Sequence, residues 1–310
     1  MKNSLYFAQL SDPHLTSLVQ VDWRDLMNKR LLGYLSWRRR RRNEHRGEVL
    51  DALREDLQQT SPEHIAVTGD LTHIGLPQEF RQARGWLESL GEPHKVIVVP
   101  GNHDAYVAVD WNDSFAHWRE YLMSDDPSRG KAAGSVDAVF PSLRIRGPVA
   151  FIGLCSARPS APFMATGWLG EQQLQRLGEL LDSTGRQGLF RVVLIHHPPV
   201  PGEEKWRKRL VDAASLCEVI AAHGAELVLH GHRHRPVHSL IEIPATHVPV
   251  YGIPSASSIG PKPGRVAQYH LYRVSQSADA WTVDITVRAY RADTAAFEQV
   301  SKISLEINRR

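Results

Sequence analysis

An α/β fold, with a parallel or mixed sheet carrying helices on its faces, is predicted by three observations. Short β-rich runs alternate with helical patterns over the first two thirds of the chain. Polar clusters follow directly on the ends of those runs. After residue 245 the alternation stops, and strand-like segments follow one another as in an antiparallel meander.

The elements run in order. Leu5–Leu10 reads as a buried strand, and Val49, Leu50, Leu53 and Leu57 fall at helical spacing. Ile65–Thr68 is a second strand. Pro77 suits a helix start, with Phe80, Ala83, Leu87 and Leu90 along its apolar face. Val96–Val99 is a third strand, stopped by Pro100-Gly101, and Val149–Leu154 a fourth. A helix through Leu174, Leu177, Leu180 and Leu181 leads to strand Arg191–Ile195, a helix near Leu210–Ala222 and strand Glu226–Leu229. Val266–Val274 and Trp281–Tyr290 form the meander, with Trp281, Val283, Ile285 and Val287 alternating. No repeat or long linker appears, so residues 1–310 are expected to form one domain with two sheets.

Composition narrows the function. The chain has 310 residues, 42% hydrophobic and 23% charged, enough apolar content for a sizeable core. Its 37 Lys and Arg nearly balance 34 Asp and Glu, which argues against a nucleic-acid partner. Two cysteines, Cys155 and Cys217, are too few for a disulfide framework or a cysteine-rich zinc site. No stretch approaches the roughly 20 apolar residues of a membrane span, and the N-terminal apolar run is too short for a signal peptide. The expected location is the cytoplasm, or the cytoplasmic face of a membrane.

Five strands run into Asp12-Pro13-His14, Gly69-Asp70, Gly101-Asn102-His103-Asp104, His196-His197-Pro198-Pro199 and Gly231-His232-Arg233-His234. Ligands in open α/β sheets sit at the carboxyl ends of strands. Carboxylate, amide oxygen and imidazole suit borderline divalent metals such as Mn, Fe and Zn. Asp12 and His14, and likewise His232 and His234, share one face of an extended segment, because side chains alternate there. Gly69, Gly101 and Gly231 allow sharp turns and close backbone approach. Each cluster alone has an ordinary reading as a turn, a cap or a solvated loop; five at successive strand ends do not arise by coincidence.

Together these five blocks resemble the calcineurin-like metallophosphoesterase superfamily, and their spacing is similar to its cyclic-nucleotide and glycerophosphodiesterase branch. The resemblance implies an αββα sandwich, two central mixed sheets flanked by helices, with the meander completing the second sheet. It implies two divalent metal ions (Mn, Fe or Zn): one on Asp12, His14 and His234, one on Asn102, His196 and His232, with Asp70 between them. His196 rather than His197 follows from position in the block. It assigns His103 as the catalytic imidazole and Asp104 as its orienting partner. The implied activity is hydrolysis of phosphodiesters through a metal-bridging hydroxide, on a small phosphoester or nucleotide-linked substrate.

Residues 18–43 depart from that branch. They hold Trp23, Met27, Leu31, Leu32, Tyr34, Leu35 and Trp37 beside Lys29, Arg30 and Arg38–Arg42. Such an insert suits contact with an anionic membrane, with Tyr34, Leu35 and Trp37 buried in lipid. That would fit a second reading, a membrane-surface pyrophosphatase of a UDP-linked lipid. The arginines alternatively recruit substrate phosphate, or form a solvated face of a packed flap. A non-catalytic scaffold is the alternative outside enzymology; the complete ligand set argues against it. Lys205–Arg209 is a second basic run, read as a solvated helix start, and His73 and His230 are read as structural.

Overall fold

The structure is a computed structural model that describes residues 3–15, 17–19, 21–126, 134–244, 246–260 and 264–309. Met1, Lys2 and, within the insert, Gln20 lie outside the described residues. The chain begins with β1 (Ser4–Leu10), passes through the insert with α1 (Arg30–Ser36), and continues as α2 (Gly47–Thr60), β2 (His64–Val67), α3 (Pro77–Leu90) and β3 (Val96–Val98). The second half-turn of the fold is β4 (Ser142–Arg146), β5 (Val149–Gly153), α4 (Glu171–Arg186), β6 (Phe190–Leu194), α5 (Ala213–His223) and β7 (Leu227–His230). Five strands close the chain: β8 (Val237–Ile243), β9 (Thr246–Gly252), β10 (Gln268–Gln276), β11 (Ala280–Arg291) and β12 (Ala296–Asn308).

Two six-stranded mixed sheets result, ordered β12-β11-β10-β1-β2-β3 and β4-β5-β6-β7-β9-β8. Strand alternation gives each sheet two apolar faces. Phe151, Val192, Leu194, Leu227 and Leu229 point into the core shared with Phe7 and Leu271 of the first sheet. Their neighbours Ile152, Val193, Ile195 and Val228 pack instead on Leu177 and Leu181 of α4 and Leu216 and Ile220 of α5. Phe7 and Phe151 meet edge to face across the sheets, ring centroids 5.0 Å apart. On the first sheet's outer side lie the apolar faces of α2 (Val49, Leu50, Leu53, Leu57) and α3 (Phe80, Ala83, Leu87).

Three expectations are corrected. The meander does not complete the second sheet: β10 pairs antiparallel with β1, from Ser4↔Ser275 to Gln9↔His270. Tyr272 stacks on Phe7 at 4.9 Å, so the apolar face of β10 is matched to β1 rather than to the other sheet. The second sheet is completed by the β8–β9 hairpin and by the edge strand β4. Periodicity hid β4 because Arg144 is buried there, its guanidinium donating to the carbonyls of Met123, Val96 and Glu120. The helix expected from Leu210 begins at Ala213, and Lys205–Arg209 lies in turns rather than at a helix start. The carboxylate of Asp212 accepts from the N–H groups of Leu169 and Gly170, so it docks another loop instead of capping an earlier turn.

Candidate metal centre

The loops after β1 and β2 run side by side. Asp12 N–H donates to the Gly69 carbonyl at 2.9 Å, and His14 N–H to that of Asp70 at 3.1 Å. Asp12, His14, Asp70, His232 and His234 all have positive φ, between 44° and 70°. That is a conformation non-glycine residues seldom adopt, and it clusters at functional sites. The side chains therefore converge through left-handed turns. This corrects the expectation that Asp12/His14 and His232/His234 share a face of extended chain. Glycine is required where the turns touch. A Cβ on Gly101 would collide with Asp70, and one on Gly231 with Ser11 and Asp12.

All seven expected ligands come together. Asp70 Oδ2 lies 3.3 Å from His196 Nε2 and 3.9 Å from His14 Nε2, placing this carboxylate between two groups. On one side are His14, Asp12 and His234: the Nε2 atoms of the two histidines are 3.4 Å apart, and Asp12 Oδ1 is 3.1 Å from His234 Nε2. On the other, Asn102 Oδ1 is 3.2 Å from His196 Nε2 and 2.8 Å from His232 Nδ1. His14 and His196 each donate Nδ1–H to a carbonyl, of Thr72 at 2.9 Å and Thr68 at 2.7 Å. Their Nε2 lone pairs thereby face the cluster, as the second shell of a metal site arranges. His196 Nε2 then meets two oxygen acceptors, which either a proton on the ring or a cation between them satisfies. Asp12 Oδ1 and His232 Nε2 are buried without a hydrogen-bond partner among the described residues. The donor set fits a pair of divalent cations, and Asp12, His14, Asp70 and His234 form a cluster able to hold one.

Electrostatics agree. Burial opposes charge on Asp12, but the facing His234 outweighs it and holds the carboxyl at about 2. Burial also opposes charge on His196, yet Asp70 and Asp12 raise it to about 9. His14 and His232 are pushed well below the usual imidazole range by burial and by neighbouring histidines. His197 stands outside the cluster: its Nδ1 accepts from Ser156 Oγ at 2.7 Å and its Nε2–H donates to the Ala165 carbonyl at 3.1 Å.

His103 borders the cluster, its ring centroid 5.0 Å from that of His14. Its Nδ1 donates to the His73 carbonyl at 2.5 Å, which leaves Nε2 as the atom free to act. Asp104 does not orient it, contrary to expectation. The Asp104 carboxylate accepts from the N–H groups of Asp70, Gly101 and Thr72 and from Thr72 Oγ1, at 2.9–3.1 Å. It is a buckle for the loops that carry the ligands.

The described residues of 18–43 pack as a flap beside this site. The inward stripe of its helical stretch, Arg30, Gly33, Tyr34, Trp37 and Arg41, follows helical spacing. Leu18, Trp37, Ile74 and Leu76 form a small core joined by Tyr34 and Tyr106. Trp37 and Tyr34 thus serve packing rather than lipid contact, while Val19, Trp23, Met27, Leu31 and Leu35 are the exposed apolar residues. Arg38, Arg39, Arg40 and Arg42 are exposed, and Arg41 is half-buried, its Nη1 3.1 Å from His103 Nδ1. Just beyond the flap, His45 brings its ring to 4.5 Å from that of His14 and could join His14 and His234 around a cation. A cleft of about 470 Å³ adjoins, lined by His14, Trp37, His45 and Arg46 among others. Neither Arg41 nor His45 carries a motif of its own. Only their position behind the Asp-x-His block could have drawn notice. His73 is buried and stacks on His14 at 5.0 Å, a closer tie to the site than its sequence suggested. No helix among the described residues is long and apolar enough to cross a membrane.

Comparison with known proteins follows the same lines. The structure is similar to a dimetal phosphatase from Danio rerio, with a TM-score of 0.63 and 13% identity over 99% of both chains, a likeness of fold. In sequence it is 32% identical over 187 residues to a protein named "Probable cyclic nucleotide phosphodiesterase" from Synechococcus, covering 58% of this chain and 61% of that one. It is 27% identical over 200 residues to a glycerophosphodiester phosphodiesterase from Enterobacter lignolyticus, covering 64% of this chain and 58% of that one. The chain thus spans about 60% of the length of these relatives. A family model, the calcineurin-like phosphoesterase, matches residues 5–236, the stretch that holds every ligand-bearing turn. The chain belongs to the calcineurin-like phosphoesterase family.

Proposed function

We propose that this protein is a two-metal phosphoesterase acting on phosphodiesters. The observation that carries the reading is Asp70, whose Oδ2 faces His196 at 3.3 Å and His14 at 3.9 Å, with a carboxylate or amide and two imidazoles on each side. Asp12, His14 and His234 would hold one cation; Asn102, His196 and His232 would hold the other, with Asp70 shared. Manganese, iron or zinc suits these borderline donors. Bound there, two cations neutralise phosphoryl oxygens and make a water nucleophilic near neutral pH.

The chain's own residues supply the rest. His103 presents Nε2 to the site with its tautomer held by His73; in that tautomer Nε2 is a base that takes a proton from the attacking water and passes it to the leaving oxygen. Asp104 holds the three loops in register. The relatives named for cyclic nucleotides and glycerophosphodiesters support small diesters as substrates. Both cysteines are free, Cys155 buried, which suits a reducing compartment such as the cytoplasm.

The test is hydrolysis of bis-p-nitrophenyl phosphate, a cyclic nucleotide and glycerophosphocholine after loading with Mn, Fe or Zn, alongside metal analysis. Up to two ions per chain and diester turnover are expected. A protein that binds no metal, or binds it and cleaves none of the three, overturns the reading.

A further inference from the structure

The run of five arginines is divided by the fold. Arg38, Arg39, Arg40 and Arg42 are exposed, while Arg41 closes the inward stripe and is half-buried at the edge of the ligand cluster. Its placement is built rather than incidental. The stripe passes through Gly33, where a Cβ would run into Ile74 and Tyr106, and through Trp37, which is buried in the flap's core. The wide turn over Trp37–Arg41 then delivers the guanidinium beside His103.

Arg41 has no anionic partner there. No ion pair involves it among the described residues. Its one side-chain hydrogen-bond neighbour among the described residues is His103 Nδ1 at 3.1 Å, and that nitrogen already gives its proton to the His73 carbonyl. An N–H faces an N–H, so the guanidinium donates to no acceptor among the described residues. A half-buried cation left without an acceptor is costly unless a ligand supplies one. The carboxylates that act on it through the field are Asp70, Glu44 and Asp12, of which Asp70, the strongest, and Asp12 are in the ligand set.

Charge arithmetic says what that ligand is. Two divalent cations against Asp12 and Asp70 leave a surplus that a monoanionic diester and a hydroxide cancel. During hydrolysis, water's oxygen bonds to phosphorus and the P–O bond to the leaving group breaks. The alcohol departs with one of water's protons, and the other passes to solvent. A monoanionic diester thus becomes a dianionic monoester, and one new negative charge appears on the phosphoryl oxygens. Fixed cations aimed at charge that develops during reaction stabilise the transition state more than the ground state.

We infer that Arg41 is an anion-binding residue for the dianionic phosphoryl group, the charge that appears as a diester is attacked. This rests on the diesterase reading, but its ligand can be probed without turnover. The experiment compares Mn-loaded wild type, Arg41→Gln, Arg41→Lys and Arg40→Gln. Affinities for inorganic phosphate, mostly dianionic at pH 8, and for monoanionic dimethyl phosphate are measured by calorimetry. Kinetics on bis-p-nitrophenyl phosphate and metal content are measured alongside.

Arg41→Gln should weaken phosphate about tenfold or more, the size of one hydrogen bond to a charged group. Dimethyl phosphate should weaken by less than about threefold, by the same reasoning for an anion lacking the second charge. kcat should fall more than KM rises, with metal content unchanged. Arg41→Lys should recover part of the phosphate affinity, and Arg40→Gln should resemble wild type. Equal loss on both anions, loss on neither, or an equal effect of Arg40→Gln overturns the inference. If wild type cleaves no diester yet Arg41→Gln still loses phosphate selectively, the function proposed above fails and the anion site stands.

Discussion

The backbone N–H of His103 donates to Asp70 Oδ1 at 2.7 Å, while Asp70 Oδ2 faces both His196 and His14. One oxygen of the shared carboxylate is therefore held by the loop that bears the imidazole of His103. The other faces the two sides of the proposed ligand set. Ligand geometry and the position of His103 are set by one side chain.

Replacing Asp70 with Ala should abolish that coupling. At least one of two metals should be lost, with metal affinity falling more than about 100-fold, beyond the range for outer-shell partners. Elemental analysis after gel filtration checks this. Retention of two tightly held ions would show that Asp70 is not shared.

Replacing His103 with Ala tests a different role. Its ring borders the ligand cluster without belonging to the proposed ligand set, so metal content should match wild type. Diester turnover should fall about 100-fold or more, the scale of proton transfer in the transition state. Loss of a metal ion in this variant would make His103 a ligand instead.

Asp104 should behave as a structural residue. Asp104→Ala leaves the N–H groups of Asp70, Gly101 and Thr72 without their acceptor, while the Thr72 hydroxyl keeps the His103 carbonyl. The cost should be about 3 kcal/mol or more, because each unsatisfied buried donor costs about 1–3 kcal/mol. At about 2–4 °C per kcal/mol, Tm should drop by about 6 °C or more. Thermal denaturation of the metal-free protein measures it. An unchanged Tm with a large loss of kcat would restore the orienting role.

Metal uptake should depend on pH through His196. In the metal-free site its pKa is raised to about 9, so at pH 7 the ring carries a proton that a cation must displace. His14 and His232, pushed well below the usual range, are already neutral there. Affinity for Mn should therefore rise about tenfold per pH unit from pH 7 toward 9 and then level off. Calorimetry in two buffers of different ionisation heat should find about one proton released per metal pair at pH 7. Release of none would mean that the Asp70–His196 pair is neutralised another way.

Local sequence determined a good deal. Periodicity located the parallel strands and the helices between them, because apolar burial on a strand or a helix face leaves a regular trace. The five polar blocks were legible because each interrupts an apolar run at its carboxyl end, and all seven expected ligands, Asp12 to His234, meet in the structure.

Tertiary structure decided the rest. The pairing of β10 with β1 depends on Phe7 meeting Tyr272, residues 265 positions apart, and no periodicity encodes which edge a meander will join. The roles of Asp104 and His73 depend on where backbone N–H and carbonyl groups point after folding, and those groups are the same in every residue but proline. The left-handed turns at Asp12, His14, His232 and His234 are held by the loops around them against local preference. Arg41 is chemically identical to its four neighbours. Only the phase of the flap helix, pinned by Gly33 and Trp37 against Ile74 and Tyr106, turns that one guanidinium toward His103 and the others to water.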